Sequence, residues 1–114
     1  MITFFIPYPP SVNNYWGFKG HRRFLTPKAN EFKAQVAQIV SLNNISLDKS
    51  RLEIEITLYP PDKRIRDIDN SIKSCLDALV QAGAFEDDSQ IDVLIVQRGE
   101  IVKGGQSKIF LKKL

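Results

Sequence analysis

A strict alternation of apolar and polar residues between Arg51 and Tyr59 is the feature that most constrains the fold of this chain. The apolar members would point to one side of an extended segment and the polar members to the other, which predicts a strand with one buried face. Pro60 and Pro61 follow directly, and they end the strand because proline has no backbone N–H to donate to a neighbouring strand. The chain therefore contains a sheet that is half buried.

Two helices are predicted, one before and one after this strand. Thr26 followed by proline is a typical helix start, and apolar residues recur behind it at helical spacing, which predicts a helix over about Pro27–Leu42. A second helix is predicted over Ile68–Ala82. Asp69 is a plausible N-cap residue for it, and Gly83 suits the position that follows its C-terminus.

Further segments complete the expected order of elements. Ile2–Ile6 is a short apolar run that predicts a strand, whereas Pro7–Leu25, with its prolines, asparagines and basic residues, is expected to be a long loop. Ile91–Val96 is apolar on both faces, which is typical of a buried strand. Val102–Gly105 predicts a turn, and Lys108–Leu111 predicts the strand that returns from it to form a hairpin.

The resulting order, β-α-β-α-β-β, predicts an α+β fold with two helices and a small mixed or antiparallel sheet. A length of 114 residues suits one domain, so we expect a single domain over residues 1–114. No run reaches the roughly 18 apolar residues of a membrane span. Met1–Pro10 lacks the pattern of a signal peptide. The strand order within the sheet stays open.

The single cysteine and the single histidine exclude several kinds of site. Cys75 alone cannot form an intrachain disulfide, which fits a reducing cytosol and favours a cytoplasmic protein. Cys75 and His21 are too few for a zinc-finger type of site. A Ser-His-Asp triad would need His21 as its base. We expect Cys75 to be a small core residue rather than a nucleophile, because it lies among helix residues.

Basic residues are clustered along the chain, which carries a formal net charge of +3. Such clusters would suit a phosphate-rich partner, and a dimer would double their charge. The alternative is that they are only solvated surface, and on the clusters alone both interpretations stay open. The clusters comprise Lys19, His21, Arg22 and Arg23, then Lys63, Arg64 and Arg66, then Arg98, Lys103, Lys108, Lys112 and Lys113.

The segment Arg66–Asn70 holds the most informative acidic residues. In an extended segment, residues two apart point the same way, so Asp67 and Asp69 would present two carboxylates to one point. Neighbouring carboxylates repel unless a cation lies between them, and oxygen ligands without His or Cys suit Mg²⁺ or Mn²⁺. Asp88 would join them if the chain reverses after Gly83. The alternative is that the pair only caps a helix and that Asp88 lies in a surface loop.

Lys73 follows Asp69 by four residues and would lie one turn further along the same helix face. Its ammonium could hold a scissile phosphate or stabilise the charge that develops during phosphodiester hydrolysis. The alternative is an ordinary helix pair with Asp69 or with Asp77.

The aromatic residues of the N-terminal region also allow two interpretations. Tyr8, Tyr15 and Trp16 could stack on exposed bases, or they could anchor the expected loop to the core, which we favour. His21 is interpreted as a phosphate contact or a plain loop residue rather than a catalyst.

Together these motifs resemble the RusA family of Holliday junction resolvases. The central match is Arg66–Asn70 followed by Lys73, and an opening Pro-Pro-Ser motif precedes it. The resemblance extends over nearly the whole chain, and its parts occur in the family's order. The other matching segments are Pro9–Ser11, Asn13–Asn14, Asp77–Leu79, Ala82–Gly83, Asp87–Asp88 and Lys103–Gly105.

The resemblance implies a Mg²⁺-dependent endonuclease, with Mn²⁺ as a possible substitute. By it, Asp67, Asp69 and Asp88 are catalytic carboxylates that bind the metal, and Lys73 is an essential lysine. It also implies a homodimer in which each subunit cuts one of two opposed strands of a four-way junction in DNA recombination and repair. Family members come from bacteria, often from prophages, and from phages. The DNA contacts are expected from Arg66, Arg64, Lys63, Arg22, Arg23 and Asn14.

Three other functions are alternatives to this one. A related metal nuclease that acts on other branched DNA would use the same carboxylates. A junction-binding protein without cleavage would keep the basic residues but would not need Asp67, Asp69 and Asp88 together. A sugar-nucleotide transferase that uses an Asp-x-Asp motif is disfavoured, because the chain has no room for a nucleotide-binding domain.

Overall fold

A four-stranded sheet is the frame of the fold. The computed structural model describes residues 1–114, with the exception of the side chain of Val12. In chain order the strands are β1 (Ile2–Ile6), β2 (Trp16–Lys19), β3 (Arg22–Leu25), β4 (Leu52–Tyr59), β5 (Ile91–Arg98) and β6 (Gln106–Lys113), and the helices are α1 (Val12–Tyr15), α2 (Pro27–Leu42) and α3 (Ile72–Gln81). The sheet order is β1-β6-β4-β5, with β4 antiparallel to β6 and parallel to β5.

The hydrophobic core lies between this sheet and the two long helices. The apolar residues that alternate along β4 all point into it, and Ile54 and Ile56 are fully buried. In β6, Leu111 pairs with Ile54 and Ile109 pairs with Ile56, so the apolar face continues across the sheet. Full burial of each such side chain stabilises the fold by about 1.5–3 kcal/mol. The predicted half-buried strand and the α+β class are confirmed.

The first long helix begins and ends where the sequence predicts. The side chain of Thr26 accepts a hydrogen bond from the Ala29 backbone N–H at 3.2 Å and so caps the helix. Proline occupies the first helical position, where its missing N–H costs nothing. The strand predicted at Ile2–Ile6 is also confirmed.

The second long helix differs from the prediction at its start. Ile68–Ser71 forms a 3₁₀ helix, and α3 begins only at Ile72. Asp69 therefore lies inside the 3₁₀ turn, and its prediction as the N-cap residue of the α-helix is wrong, because Ser71 occupies that position. The C-terminus is as predicted: Gly83 follows the helix with a φ of +86°, a left-handed conformation that favours glycine.

The segment Pro7–Leu25 is not the long loop that was expected. It contains the short helix α1 and the antiparallel hairpin β2–β3. Gly20 turns the chain between the two strands with a φ of +64°. The strands are four residues each, too short for a clear alternation in the sequence, so the pattern gave no signal for them.

The last two strands do not form the expected hairpin. The turn predicted at Val102–Gly105 is present, and the Gly105 N–H donates to the carbonyl of Val102 at 2.7 Å. However, β4 lies between β5 and β6 and pairs with both. The chain therefore crosses over β4 after the turn, which a local sequence pattern does not reveal.

The prediction that Ile91–Val96 is a buried strand is also wrong. β5 is an edge strand, and both of its faces are largely exposed. Leu94 is 44% exposed and Ile95 is 40% exposed, although they point to opposite faces. The apolar residues of β5, which suggested a strand buried within the chain, therefore lie on the surface of the chain. Within residues 1–114, no helix is long and apolar enough to cross a membrane.

Candidate active site

The charged loop between β4 and the first 3₁₀ helix is held in place by Asp62. Its carboxylate accepts a hydrogen bond from the Arg64 backbone N–H at 2.9 Å and lies 2.8 Å from the Arg66 guanidinium. The hydrogen bonds from Arg64 lower the pKa of the Asp62 carboxyl to about 2. The side chain of Arg98 donates to the backbone carbonyl of Arg66 at 2.6 Å, which ties the loop to β5.

Asp67 and Asp69 lie where this loop enters the first 3₁₀ helix. Asp67 has extended backbone angles and is the residue before the helix, whereas Asp69 lies within its first turn. The expected arrangement along one extended segment is therefore wrong, because the chain begins to coil at Ile68. Both side chains are exposed, and that of Asp67 makes no capping hydrogen bond. The pair is accessible from solvent.

The side chain of Lys73, on α3, contacts the segment that follows this helix. Its ammonium nitrogen lies 3.2 Å from an oxygen of Asp77 and 3.6 Å from an oxygen of Asp88. The Asp77 carboxylate, and to a lesser extent that of Asp88, raises the pKa of the Lys73 ammonium. The pair with Asp77 was one of the alternatives for Lys73 and is present. The predicted return of Asp88 towards this helix is also present.

Gln90 fixes the backbone around Asp88, a role that was not predicted from the sequence. Its buried side-chain amide donates to the carbonyls of Asp48 at 2.6 Å and Ser50 at 2.8 Å. Its carbonyl oxygen accepts from the two backbone N–H groups just before Asp88, at 2.9 Å each. An Asp at position 87 followed by Gln three residues later has the spacing of a capping box, which is the signal that could have revealed it.

The donor set suits Mg²⁺ by its chemistry, although the carboxylates do not form a closed cluster. Asp67, Asp69 and Asp88 offer the hard oxygen ligands that Mg²⁺ prefers. Across residues 1–114 as described, no three His, Cys, Asp or Glu side chains are grouped closely enough to hold a metal ion. Asp88 is instead in contact with Lys73. The assignment of the three aspartates as metal ligands stays a prediction.

An open cleft of roughly 700 Å³ borders the acidic motif. It lies between the N-terminal proline segment, the start of α2 and the charged loop, and Asp67 is on its wall. The hydroxyl of Ser74 donates to the carbonyl of Pro10 at 2.8 Å and so holds the proline segment against α3. Asn14, predicted as a DNA contact, lines this cleft. Three further polar residues that the sequence did not single out also line it, namely Lys28, Glu31 and Gln35.

A family model described as "Endodeoxyribonuclease RusA" matches residues 7–112, which include this site. The chain belongs to the RusA family of endodeoxyribonucleases. The resemblance inferred from the motifs is confirmed, and with it the assignment to enzymes that hydrolyse phosphodiester bonds in DNA.

Several curated relatives of this RusA-family chain cover nearly its full length. The chain is 41% identical to a crossover junction endodeoxyribonuclease of Enterobacteria phage HK97, over 97% of this chain and 93% of the relative. It is 31% identical to the protein of the same description from Escherichia coli K12, over 96% of this chain and 92% of the relative. A relative from Enterobacteria phage 82 is 29% identical, over the same shares.

The predicted DNA-contact residues of this RusA-family protein lie in two groups. Arg22 and Arg23 are exposed on the β2–β3 hairpin. Lys63 and Arg64 are exposed on the charged loop, although Arg64 also pairs with Asp62 at 3.1 Å. Arg66 differs from them. Its side chain is largely buried and is held by Asp62 and by two backbone carbonyls, so it also shapes the loop.

The remaining candidate residues lie either in the core or on the exposed surface. Cys75 is fully buried, and burial raises the pKa of its thiol to about 12, so it is a core residue as predicted. Tyr15 is buried, which confirms that it anchors the segment to the core. Tyr8 and Trp16 are half-buried, Tyr8 lines the cleft, and their interpretation as anchors stays a prediction. His21 is exposed at the tip of the hairpin.

Proposed function

We propose that this protein resolves Holliday junctions by paired symmetric nicks that depend on Mg²⁺. Membership of the RusA family and similarity to crossover junction endodeoxyribonucleases support this proposal. The structural observation on which the proposal rests is the contact between Lys73 and Asp88. It brings the N-terminal end of α3, which follows Asp67 and Asp69 in the chain, to the carboxylate of Asp88. The relatives come from phages and bacteria, so we place the reaction in the bacterial cytoplasm.

The aspartates and the lysine are given distinct roles. Asp67, Asp69 and Asp88 would hold the metal, and when bound, Mg²⁺ supplies Lewis-acid stabilisation of the phosphate. The ammonium of Lys73 donates hydrogen bonds to an oxygen of the scissile phosphate and offsets the charge that develops there. Asp77 and Asp88 orient that ammonium from two sides. The oxygen of a water molecule bonds to phosphorus as one P–O ester bond breaks, the leaving oxygen takes up a proton, and the nick is left with one phosphate end and one hydroxyl end.

The basic residues of the charged loop and of the hairpin would bind the phosphate backbone. Lys63 and Arg64 are exposed on the loop that leads into the acidic motif, and Arg22 and Arg23 are exposed on the hairpin. Such contacts fix the orientation of DNA without reading its sequence. Arg66 is assigned mainly to the shape of the loop.

The homodimer, a prediction from the family resemblance, is proposed to form through β5. The outer edge of this strand is unpaired, and Val93, Leu94 and Ile95 are exposed on it. Edge strands that expose apolar residues on both faces are hazards for aggregation, and native proteins cover or interrupt them. The other edge strand, β1, behaves differently because it buries alternate residues in the core. A second copy is the occupant that we propose for β5.

Self-pairing of β5 is favoured by the order of its charges. If two copies pair antiparallel about Ile95, then Leu94 lies opposite Val96 of the second copy, and Asp92, which also accepts from Arg51 of its own chain, lies opposite Arg98. The apolar residues meet at the centre, and opposite charges meet at each end. The contact is the same from both sides, as a two-fold interface requires. Each protomer would then cut one of two opposed strands.

The proposal is tested by cleavage of a labelled synthetic four-way junction beside a linear duplex, with Mg²⁺ and with EDTA. We expect nicks at symmetric positions near the branch point in Mg²⁺, none in EDTA, and an intact duplex. Cutting of flaps or forks with the junction spared would assign the protein to other branched DNA. Binding without cleavage in both Mg²⁺ and Mn²⁺ would reduce Asp67, Asp69 and Asp88 to structural roles.

A further inference from the structure

The β2–β3 hairpin exposes an apolar side chain, that of Phe18, to solvent. Phe18, near its tip, is 72% exposed, and Phe24, on the opposite strand, is 46% exposed. The ten residues from Trp16 to Leu25 include a lysine, a histidine and two arginines, but no acidic residue. A polyanion is the partner that such a charge favours. The ring of Phe24 lies against Gly17 on the opposite strand, so the exposed ring of Phe18 is the one that points to a polyanion with flat apolar surfaces.

The hairpin is held firmly at its base. The Thr26 N–H donates to the carbonyl of Tyr15 at 3.0 Å, and the Thr26 hydroxyl donates to the carbonyl of Asn14 at 2.5 Å. At the other end, a two-residue turn begins with Gly20 at a positive φ, as hairpin turns require. A two-stranded hairpin is marginal when isolated. This anchoring therefore gives Phe18 a defined position.

The hairpin begins beside the acidic motif. It follows α1 without a linker, and α1 contacts both α3 and the 3₁₀ helix Ile68–Ser71, which contains Asp69. Phe18 pairs with Arg23, so both side chains leave the same face of the hairpin. The guanidinium of Arg23 lies 4.0 Å from the centre of the Trp16 ring. One face therefore presents a cation beside an exposed phenyl ring.

We propose that Phe18 stacks on a base at the branch point of the DNA junction, while the basic residues of the hairpin bind the neighbouring phosphates. Proteins that hold unpaired bases combine a positive groove with aromatic side chains for stacking. Within a duplex both faces of each base are covered by its neighbours, whereas a branch point interrupts the stack. Phe18 would therefore give preference for a junction over a duplex. This inference rests on the proposed function.

The test uses the full-length protein in EDTA with a four-way junction that carries 2-aminopurine at the branch point. Wild type is compared with Phe18→Ala, with Phe18→Trp, which keeps an aromatic ring, and with Phe5→Ala. Phe5 is a matched control because it is 50% exposed but lies on β1, at the edge of the main sheet. The measurements are affinity for the junction, affinity for a duplex of the same sequence, 2-aminopurine fluorescence, and the oligomeric state.

We expect Phe18→Ala to weaken junction binding by about 5- to 150-fold, since stacking on one base contributes that much. Its duplex affinity should stay within about twofold of wild type, and the fluorescence change on binding should be lost. Phe18→Trp should restore both, and Phe5→Ala should match wild type. Wild-type affinity and fluorescence in Phe18→Ala would overturn this inference alone, as would equal losses on junction and duplex or a change in oligomeric state. Failure of wild type to bind any junction would overturn the proposed function as well.

Discussion

The ammonium of Lys73 lies 3.6 Å from a carboxylate oxygen of Asp88, across the turn that joins α3 to β5. The same ammonium lies 3.2 Å from Asp77, one helical turn away. The Asp77 contact is an ordinary helix pair worth a few tenths of a kcal/mol, roughly 0.2–0.5. The Asp88 contact joins segments that are distant in sequence, and it can be separated from the helix pair by mutation.

Lys73→Ala should lower the rate of junction cleavage far more than the affinity for the junction, because its charge acts on the phosphate that reacts. A loss of about 100-fold or more in rate is expected for removal of one such electrostatic contact. Asp77→Asn is the comparison variant: it removes one of the two carboxylates that orient the ammonium but keeps the charge of Lys73 and its contact with Asp88, so it should lower the rate much less. Single-turnover cleavage and binding assays separate the two quantities. An unchanged rate in Lys73→Ala, or equal losses in both variants, would remove Lys73 from the mechanism.

Asp69→Asn should abolish cleavage while junction binding stays intact or becomes tighter. The substitution removes a negative charge close to the phosphate and takes away an oxygen ligand for Mg²⁺. Asp48→Asn serves as the control, because Asp48 is also an exposed aspartate but pairs with Lys113. Gel-shift and cleavage assays on one junction are sufficient. If Asp69→Asn loses binding and cutting together and its circular dichroism is unchanged, Asp69 is not a metal ligand.

Ile95→Asp should convert the proposed dimer into monomers, because it places two like charges at the centre of the β5 contact. Sedimentation velocity gives the mass, and a supercoiled cruciform plasmid gives the cutting mode. A dimer yields linear product from two nicks in one binding event, whereas monomers yield nicked circles first. Phe5→Asp, on the opposite edge of the sheet, should remain dimeric. A dimeric Ile95→Asp variant would exclude β5 as the interface.

The contribution of the charged loop to stability should depend on pH through the carboxyl group of Asp62. Hydrogen bonds from the backbone and side chain of Arg64 lower the pKa of this carboxyl from 3.8 to about 2. The folded pKa is depressed, so the stabilisation is present above about pH 4 and is lost as the pH falls through about 2. Asp62→Asn should therefore lower Tm at pH 6, and the difference from wild type should disappear towards pH 2. A Tm difference that stays constant from pH 6 to pH 2 would contradict this role.

Local patterns predicted those parts of the fold that are decided locally. The cap at Thr26, the alternation along β4 and the glycine after α3 each depend on residues within a few positions, and each is present. The insertion of β4 between β5 and β6 depends on pairing between residues about 40 or more positions apart, and no short motif encodes it. The strand order could therefore not be predicted from the sequence.

The candidate site was predicted in its composition but not in its geometry. The acidic motif and Lys73 were identifiable as residue types at fixed spacing. The coiling at Ile68, which places Asp67 before the 3₁₀ helix and Asp69 inside it, was not visible in the spacing of the motif. The apolar residues of β5 were assigned to the core because composition reports a preference for burial and does not say whether the same chain or another one covers it.

The position of β6 has a consequence for how the protein is made. β6 is the last strand in chain order, yet it lies between β1, the first strand, and β4. During synthesis, β1 and β4 leave the ribosome before β6, the strand that joins them, and the apolar face that they share stays incomplete until β6 emerges. A prematurely terminated chain would therefore retain the acidic motif without a closed sheet to hold it. We expect such fragments to be substrates for cellular proteases rather than unregulated nucleases.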